Sequence, residues 1–375
     1  MRVKSNKGQV EISFNWIFIL IAGAAILIFF TFIIVKETRG TEEKININLQ
    51  KRMEALLSAV EKNPASIKNI GYFTTELKFS CEQGSHEFYA EGSSSRSELQ
   101  SELIYAPNRL GKSDVIAWTV PLKAPYKVSN LLLLSDEKTM YVFENNIHYS
   151  VLNAFPSQFS SKRLSRTLIS SMNDEGHERY VIVLSNSLSG FTLNSPSLKE
   201  KGKTTVLVLP QNQDLTVKFP KGTIYYYEYT NGVNGGLNEI GFSQFVTLPL
   251  LFGSIISASP SLYSCSTDKL IKRIRSTDEL NLLRVEKLRD YYSTNYPTGS
   301  QAICSIFYSS IKDYITEKKD DLENFYTPTG ISNIQNEMIN ILTADEQLLT
   351  YSCPQIGVYE GTRTGSTYQQ NSITS

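Results

Sequence analysis

The sequence predicts an α+β protein with a membrane anchor at its N-terminus. Three observations predict it: one long uncharged apolar run near the start, short apolar runs separated by turn residues in the middle, and helical spacing of apolar residues towards the end. The anchor is expected to lead into a mixed α/β head and then into a helical hairpin or three-helix region. The predicted segments are a short leader or tail (1–13), a transmembrane helix (14–35), an amphipathic helix (41–63), a β-rich α/β domain (70–242), a helical region (243–353) and a disordered tail (354–375).

The composition is that of a folded protein without a strongly charged surface. Of the 375 residues, 41% are hydrophobic, and 37 basic residues balance 37 acidic ones. Nucleic-acid binding usually shows as an excess of Lys and Arg, so no nucleic-acid partner is expected.

Residues 14–35 read FNWIFILIAGAAILIFFTFIIV and carry no charge. A helix of this length, at about 1.5 Å per residue, spans roughly 33 Å, which is the thickness of the hydrocarbon core of a bilayer. Lys36 and Arg39 follow and can extend their charged ends to the headgroups. A cleaved secretory signal peptide is the alternative, but its apolar run normally covers only about 7–15 residues. Membrane lipid is therefore the predicted partner of this segment.

A short basic leader precedes the apolar run and contains the sequence KGQVEI, residues 7–12. Such a leader, followed by a hydrophobic helix, resembles the class III signal sequences of archaeal pilins and archaellins. The resemblance covers residues 1–35 and implies cleavage between Gly8 and Gln9, a bulk domain outside the cytoplasm, and assembly with itself or with other surface proteins. Glu11 departs from the type IV pilin pattern, because it would be the third residue after the cut and not the fifth. An ordinary positively charged flank with a coincidental Gly-Gln pair is the alternative.

Apolar residues recur at helical spacing after the anchor, which predicts an amphipathic helix over residues 41–63 that ends at Pro64. The apolar stripe consists of Ile45, Leu49, Met53, Leu56, Leu57 and Val60. A long helix, half in lipid and half packed on a globular head, is the arrangement that the pilin resemblance implies. A juxtamembrane stalk or a dimerising helix would show the same stripe.

Charge does not settle which side of the membrane holds the large domain, because basic residues flank the apolar run on both sides. Long domains are translocated largely regardless of charge, and the leader resemblance implies a cytoplasmic N-terminus. We therefore expect a single-pass protein of the cell membrane with its bulk outside the cytoplasm. The absence of any Asn-X-Ser/Thr sequon is the best argument for the opposite orientation.

The middle of the chain contains short apolar runs broken by turn residues, as strands do. Strands are predicted in the runs TTELKFSC, HEFYAE, DVIAWTVPL, MYVFENNIHYSVL, YVIVLSN, TTVLVLP, LTVKF and TIYYYEYT. One helix is predicted over residues 157–173, from the spacing of Phe159, Leu164, Leu168, Ile169 and Met172. Because this helix lies between strand runs that are solidly apolar, we expect a parallel or mixed sheet.

From about residue 243 the pattern becomes helical. Residues 245–258 are apolar, but they are too few and too interrupted by Pro and Gly for a second membrane span, so we expect them to be buried. The three helices predicted after them cover residues 267–292, 301–323 and 331–349. The sequence from Gln355 onward is polar and is predicted to be disordered.

The chain has four cysteines without a C-x-x-C spacing, so neither a zinc site nor a thioredoxin-like motif is predicted. If the three helices run up, down and up, the end of the third lies near the start of the second, which brings Cys353 close to Cys304. Cys265, at the start of the first helix, would lie about 36 Å from Cys304, whereas a disulfide permits only ~7 Å between Cα atoms. We therefore predict the disulfide Cys304–Cys353 and, second to it, Cys81–Cys265. Four buried reduced thiols are the alternative.

No pattern selects a catalytic, cofactor-binding or metal-binding residue, and no cofactor is expected. Residues 106–113, APNRLGKS, are close to a phosphate-binding loop, but the first Gly is missing and a β-branched run follows where a helix is required. An ordinary hairpin turn is the better interpretation. His86 and His177 are each followed by Glu, but no second His lies four residues on. With His148 as the remaining histidine, a multi-histidine metal centre is not expected.

These observations favour a structural or binding role for a single-pass extracytoplasmic protein, in the manner of a pilin-like cell-surface component. A membrane-tethered enzyme is the alternative, for example a hydrolase whose carboxylates are brought together by the fold, because the spacing of Asp and Glu selects no pair. A cytoplasmic nucleotide-binding protein is a third class, which depends on Gly111–Ser113 being a phosphate loop. A deep pocket with clustered carboxylates would favour the enzyme, and a flat or grooved head the binding protein.

Overall fold

The structure, a computed structural model, describes residues 19–32, 63, 65–82, 85–91, 96–98, 103–209, 215, 217–229 and 236–357. In this part the chain is an α+β protein, as the sequence predicts. Three predictions lie outside it. They concern the processing pair Gly8 and Gln9, the amphipathic helix over residues 41–63 apart from its last residue, and the tail beyond residue 357.

Residues 19–32 form a helix, α1, which covers the central part of the predicted anchor. The large apolar side chains along it, from Ile19 to Phe32, are exposed. Among the residues that the structure describes, no helix is both long enough and apolar enough to cross a membrane. The two flanks of the predicted span, residues 14–18 and 33–35, lie outside the described part.

The strands are β1 Ile67–Tyr72, β2 Leu77–Glu82, β3 Ser85–Ala90, β4 Ser97–Glu98, β5 Ile104–Tyr105, β6 Arg109–Leu110, β7 Asp114–Lys123, β8 Lys127–Asp136, β9 Thr139–Glu144, β10 Ser161–Leu164, β11 Arg179–Ser185, β12 Thr204–Leu209, β13 Gly222–Tyr229 and β14 Leu237–Phe245. The helices that follow α1 are α2 Tyr149–Ala154, α3 Arg166–Ser170, α4 Leu248–Ser257, α5 Pro260–Asn295, α6 Ala302–Asp321 and α7 Pro328–Thr350. Short 3-10 turns of helix lie at Ser197–Lys199 and Leu322–Asn324.

A mixed six-stranded sheet lies at the centre of the head, in the order β10-β9-β11-β12-β13-β14. The first four strands run parallel, and β13 and β14 extend the sheet in antiparallel fashion. Every residue of β9 and β12 is buried. Strands that are buried on both faces read as continuous apolar runs, and this is why the sequence predicts a parallel or mixed sheet here.

One helix prediction in this region was wrong. Residues 157–173 do not form a continuous helix but contain the edge strand β10 and the short helix α3. Ser165 separates the two, because its backbone is extended and its hydroxyl accepts a hydrogen bond from the Leu168 amide in the first turn of α3. The parallel pairing of β10 with β9 outweighs the helical spacing of the apolar residues.

Two strand predictions also need correction. The run MYVFENNIHYSVL forms β9 only as far as Glu144, and its second half turns into α2 with His148 as the N-cap. The run LTVKF is not a strand over residues 217–219, where the backbone bends. In addition, in the described part of the chain, strands form at six places where none was predicted, namely β1, β4, β5, β6, β8 and β14.

Both faces of the six-stranded sheet are covered, because alternate residues of a strand point to opposite sides. On one face, Tyr141 and Phe143 of β9 belong to the main hydrophobic core together with α2 and α4. On the other face, Val142 of β9 and Ile182 of β11 form a second core with Ile169 of α3. The sheet is therefore sandwiched between two layers.

Two smaller sheets lie beyond the main core, with the strand orders β1-β7-β8-β5 and β4-β3-β2-β6. Trp118 of β7 points into the main core, where its ring centroid lies 4.9 Å from that of Phe252 in α4. Ala117 and Leu134, on the opposite face of the same sheet, belong to a third core with Phe79 of β2. The sheet β1-β7-β8-β5 is thus buried on both faces and separates two hydrophobic cores.

The apolar segment that was expected to be buried is α4, whose residues from Leu250 to Ser257 are all buried. Gly253 allows α4 to approach the ring of Tyr105 closely, since a Cβ at this glycine would lie 2.7 Å from the Cδ1 atom of that ring. A larger residue at position 253 would therefore push α4 away from β5.

Helices α5, α6 and α7 occupy the predicted three-helix region, with α6 packed against both of the others. Proline stands in the first turn of α5 and of α7, where its missing amide is not needed. Thr327 caps α7, because its hydroxyl accepts a hydrogen bond from the Gly330 amide at 3.0 Å. The buried faces of the three helices join the main core through residues such as Ile274, Ile315 and Met338.

Candidate functional site

The parallel part of the six-stranded sheet changes its winding direction between β9 and β11. The chain goes from β9 to β10 on one side and then crosses to β11 on the other, so that the parallel strands lie in the order second, first, third, fourth. In open α/β sheets, ligands bind at such a point, outside the carboxyl ends of the strands. The residues that end β9 and β11 are Glu144 and Ser185.

Glu144 is buried, and both of its carboxylate oxygens accept hydrogen bonds. Its Oε1 accepts one from Arg166 Nε at 2.9 Å, and its Oε2 accepts one from Arg166 Nη2 at 3.1 Å. Oε2 also accepts from the Ser185 amide at 2.7 Å and from the Ser185 hydroxyl at 2.9 Å. These charge-assisted hydrogen bonds join the ends of β9 and β11 to the first residue of α3. We call Glu144, Arg166 and Ser185 the strand-end cluster.

The strand-end cluster keeps its carboxylate ionised in spite of burial. Burial raises the pKa of Glu144, but the hydrogen bonds from Arg166 and Ser185 outweigh this effect and hold that pKa below its ordinary value. Arg166 is fixed in turn, because its Nη2 donates to the Ser185 carbonyl at 2.6 Å. A carboxylate that is held ionised by fixed donors is suited to positioning other groups and poorly suited to accepting a proton.

Polar loops surround the strand-end cluster. Asn145 and Asn146 follow β9 and are exposed, and residues 186–190 follow β11 and are exposed or half-buried. Asn186 has a φ of 76°, in the left-handed region that Asn adopts more readily than most residues. The Arg166 side chain is 29% exposed, so part of its guanidinium reaches this rim. Amides, hydroxyls and a guanidinium at one edge of a sheet can hold a polar or anionic ligand.

The structure joins the four cysteines in two disulfides, and they are the same pairs that the predicted helix directions favour. Cys304 in α6 and Cys353 after α7 have Cα atoms 5.8 Å apart. Cys81 in β2 and Cys265 in α5 have Cα atoms 6.1 Å apart. The first disulfide closes the three-helix region, and the second fastens the sheet β4-β3-β2-β6 to α5.

Residues 106–113 do not have the surroundings of a phosphate-binding loop. Strand β7 begins at Asp114, where such a loop requires a helix. The Gly111 amide donates to Asp136 Oδ2 at 2.6 Å and so already faces a carboxylate. A Cβ at Gly111 would also lie 2.7 Å from Glu178 Oε2. The turn is not a hairpin either, because β6 and β7 belong to different sheets.

The remaining buried carboxylates and the histidines considered from the sequence lie in different parts of the head. The buried carboxylates among the described residues are those of Asp136, Glu144, Asp278 and Asp345. His148 caps α2, and the ring of His177 lies 5.7 Å from that of Tyr180. Within the described ranges, no group of three or more His, Cys, Asp or Glu side chains is placed to hold a metal ion.

Sequence reasoning did not single out the strand-end cluster, although a signal was present for two of its members. Glu144 and Ser185 are each a polar residue at the end of an apolar strand run, and the carboxyl ends of parallel strands meet at one edge of a sheet. Arg166 could not be added, because the incorrect helix over residues 157–173 placed it within a helical turn and not after a strand.

Comparison with known proteins adds no relative to these observations, since no protein-family model, no curated protein and no solved structure matches the chain.

Proposed function

We propose that this chain is a single-pass, membrane-anchored protein whose head lies outside the cytoplasm and has a structural or binding role, as a pilin-like component of the cell surface. The observation that carries the proposal is the pairing of all four cysteines in disulfides. Disulfides persist in oxidising compartments and are rare in the cytosol, where thiols are kept reduced. The pairing therefore supports an extracytoplasmic head.

The anchor and the leader support the same placement. Residues 14–35 carry no charge, and the large apolar side chains of α1 within them are exposed. Lipid tails would cover these side chains, whereas water would solvate them unfavourably. Cleavage between Gly8 and Gln9 on the cytoplasmic side would leave the helix attached to the head, so that the head stays at the membrane or joins an assembly.

The strand-end cluster supports a binding role in preference to acid–base catalysis. Its carboxylate is committed to Arg166 and Ser185, which leaves the exposed edge of Arg166 and the loop amides to contact a partner. A partner that presents carboxylate or other anionic oxygens would match these donors. Such a partner could be another surface protein or a second copy of this chain.

The proposal is tested by the intact mass of the protein from its native membrane, alkylated with and without prior reduction. We expect a mass that lacks residues 1–8 and thiols that react with the alkylating reagent only after reduction. A full-length mass with four reactive thiols would overturn both the leader cleavage and the oxidising location.

A pair of glycine variants makes the cleavage test specific. Gly8→Ile alters the predicted cleavage pair and is expected to leave the leader attached. Gly40→Ile alters a glycine on the other side of the apolar run and is expected to leave processing unchanged. Equal processing of both variants would contradict cleavage at Gly8.

A further inference from the structure

A lysine and an aspartate meet inside the head without access to water. Lys318 lies on α6 and Asp278 on α5, and the side chains of both are 0% exposed. Lys318 Nζ lies 2.8 Å from Asp278 Oδ1. Lysine and aspartate are almost never fully buried, and burial of two ions is unfavourable unless every polar atom finds a partner.

Tyr126 joins the two side chains. It lies in the connection between β7 and β8, and its hydroxyl donates a hydrogen bond to Asp278 Oδ1. The same hydroxyl lies 3.3 Å from Lys318 Nζ, and Nζ lies 4.6 Å from the centroid of the tyrosine ring. Lys318 Nζ also donates to the Ala124 carbonyl at 2.6 Å. The amine, the carboxyl group and a hydroxyl that touches both are thus held in one place.

The trio lies among mostly apolar side chains, with Asn281 as a polar neighbour of Tyr126. The neighbours one or two helical turns away on the same faces of α5 and α6 are Ile274, Leu282, Ile311, Ile315 and Leu322. The Oδ2 atom of Asp278 is buried and has no hydrogen-bond partner among the described residues. An ionised carboxylate with one bare oxygen in such surroundings is strongly disfavoured, whereas a neutral carboxyl or an amide tolerates them far better.

Burial favours the neutral forms of both side chains. It raises the pKa of Asp278, and the nearby Lys318 only partly offsets this. It also lowers the pKa of Lys318. A neutral amine is a nucleophile, and a neutral carboxylic acid is an electrophile, so both shifts are in the direction that condensation requires.

We propose that Lys318 and Asp278 condense to form an intramolecular amide that cross-links α6 to α5. The lone pair of Nζ attacks Cγ of the neutral carboxyl group, so that an N–C bond forms. Tyr126 accepts a proton from Nζ while it donates its own proton to Oδ1, and its hydroxyl is therefore unchanged overall. The tetrahedral carbon then loses one oxygen, a C–O bond breaks, and water leaves with the two hydrogens. No oxidant, cofactor or other protein is needed, because the folded chain supplies both reactants at a high effective concentration.

A second pair on the same two helices provides an internal control. Lys319 and Glu279 each follow one of the reacting residues, and Lys319 Nζ lies 3.1 Å from Glu279 Oε1. Their side chains are 35% and 59% exposed. Water reaches both of these side chains, whereas it does not reach Lys318 or Asp278. The distance between amine and carboxyl group is thus similar in the two pairs, and the pairs differ in their exposure to water.

The test is the intact mass of the full chain after reduction and alkylation, followed by proteolysis and peptide sequencing. We expect the wild-type chain, whether or not residues 1–8 have been removed, to be lighter by one water molecule than the mass calculated from the sequence of the same span. We also expect a branched peptide in which Lys318 is joined to Asp278, which distinguishes the cross-link from a cyclised aspartate. A mass that equals the sequence, without a branched peptide, would overturn the proposal.

Variants locate the bond and the proton relay. Lys318→Arg is expected to abolish both the mass loss and the branched peptide, whereas Lys319→Arg is expected to keep them. Asp278→Asn is expected to lose ammonia in place of water, because an asparagine can form the same amide. Tyr126→Phe is expected to slow the reaction, so that newly made protein contains a larger uncross-linked fraction. Retention of the mass loss in Lys318→Arg would assign it to another residue and overturn the proposal.

The inference does not depend on the proposed function, because it concerns only the folded head.

Discussion

Two buried carboxyl groups in the head each lie against a basic side chain, yet their surroundings shift the carboxyl pKa in opposite directions. In the strand-end cluster, Arg166 and Ser185 hold the pKa of Glu144 below its ordinary value in spite of burial. In the helical region, burial raises the pKa of Asp278 in spite of Lys318. Burial alone therefore does not decide the charge of a carboxyl group in this protein.

Asp278 differs from Glu144 in two respects, because it is more deeply buried and has fewer donors. Both oxygens of Glu144 accept hydrogen bonds from Arg166, and Oε2 accepts two more from Ser185. Only one oxygen of Asp278 has partners among the described residues, since Lys318 and Tyr126 share Oδ1. A carboxylate with donors on both oxygens keeps its charge, whereas one with a bare oxygen is driven towards a neutral form. Glu144 therefore stays ionised, whereas the surroundings of Asp278 favour its neutral form.

The largest expected effect comes from removal of the second pair. The double variant Lys318→Met with Asp278→Leu is expected to lower the free energy of unfolding by about 4 kcal/mol, because the cross-link between α5 and α6 is lost. Urea unfolding with the disulfides intact measures this difference. Apolar replacement of a buried ion pair without a covalent bond is neutral or stabilising, so unchanged or increased stability would contradict the amide. The exposed control, Lys319→Ala with Glu279→Ala, should change stability by about 1 kcal/mol or less.

Removal of the cation from the first pair should have the next largest effect. Arg166→Ala is expected to lower the free energy of unfolding by about 2–3 kcal/mol, because Glu144 remains buried with Ser185 as the remaining donor in the strand-end cluster. Arg163→Ala is the matched control, since Arg163 is exposed and, within the described part of the chain, donates to the Asn145 carbonyl at 2.8 Å. The control should change stability by about 0.5 kcal/mol. Equal effects in the two variants would show that the bonds to Glu144 add nothing.

A single donor can be removed from the first pair without loss of its cation. Ser185→Ala deletes the hydroxyl that donates to Glu144 at 2.9 Å and keeps the backbone amide that donates at 2.7 Å. We expect a loss of about 1 kcal/mol in urea unfolding. A loss as large as that of Arg166→Ala would mean that the hydroxyl, and not the guanidinium, keeps Glu144 ionised.

The smallest expected effect is a difference between the two carboxyl groups in the loss of folding stability at acid pH. The pKa of folded Glu144 lies below its ordinary value of 4.5. The contribution of this carboxylate to the free energy of unfolding is therefore present above pH 4.5 and is lost as the pH falls through the folded pKa. Glu144→Gln should therefore reduce the loss of stability between about pH 5 and pH 3. Asp278→Asn should leave that loss unchanged, because an amide at Asp278 does not titrate. Thermal unfolding at each pH measures this loss of stability. A loss that differs between Asp278→Asn and the wild-type chain would contradict the cross-link.

Local sequence patterns and simple helix geometry were sufficient to predict part of the fold. The three C-terminal helices follow from apolar spacing, and the antiparallel course of those helices brings Cys304 near Cys353. Strand β10 could not be predicted in this way. It is only four residues long, lies at an edge and takes its form from β9, while Leu164 and Ile169 mimic the spacing of a helix.

The reacting pair could not be predicted from the sequence for a different reason. Lys318 and Asp278 stand on amphipathic helices, where charged residues normally face water. Their burial depends on Tyr126, which comes from the distant connection between β7 and β8 and covers them in the folded head. Contacts between segments so far apart in the chain leave no local pattern that a single sequence can show.

The disulfide between Cys81 and Cys265 also determines how the head would respond to mechanical tension. A pull on the chain that enters through β2 would pass across the sulfur bridge directly into α5 and bypass the stretch between the two cysteines, which are 184 positions apart. The whole six-stranded sheet, with the strand-end cluster, lies in that bypassed stretch. It would carry no load until the bridge was reduced, and reduction would then release roughly 60 nm of extensible chain at ~3.4 Å per residue. The same bond would thus protect the six-stranded sheet from tension applied to the two ends of the head.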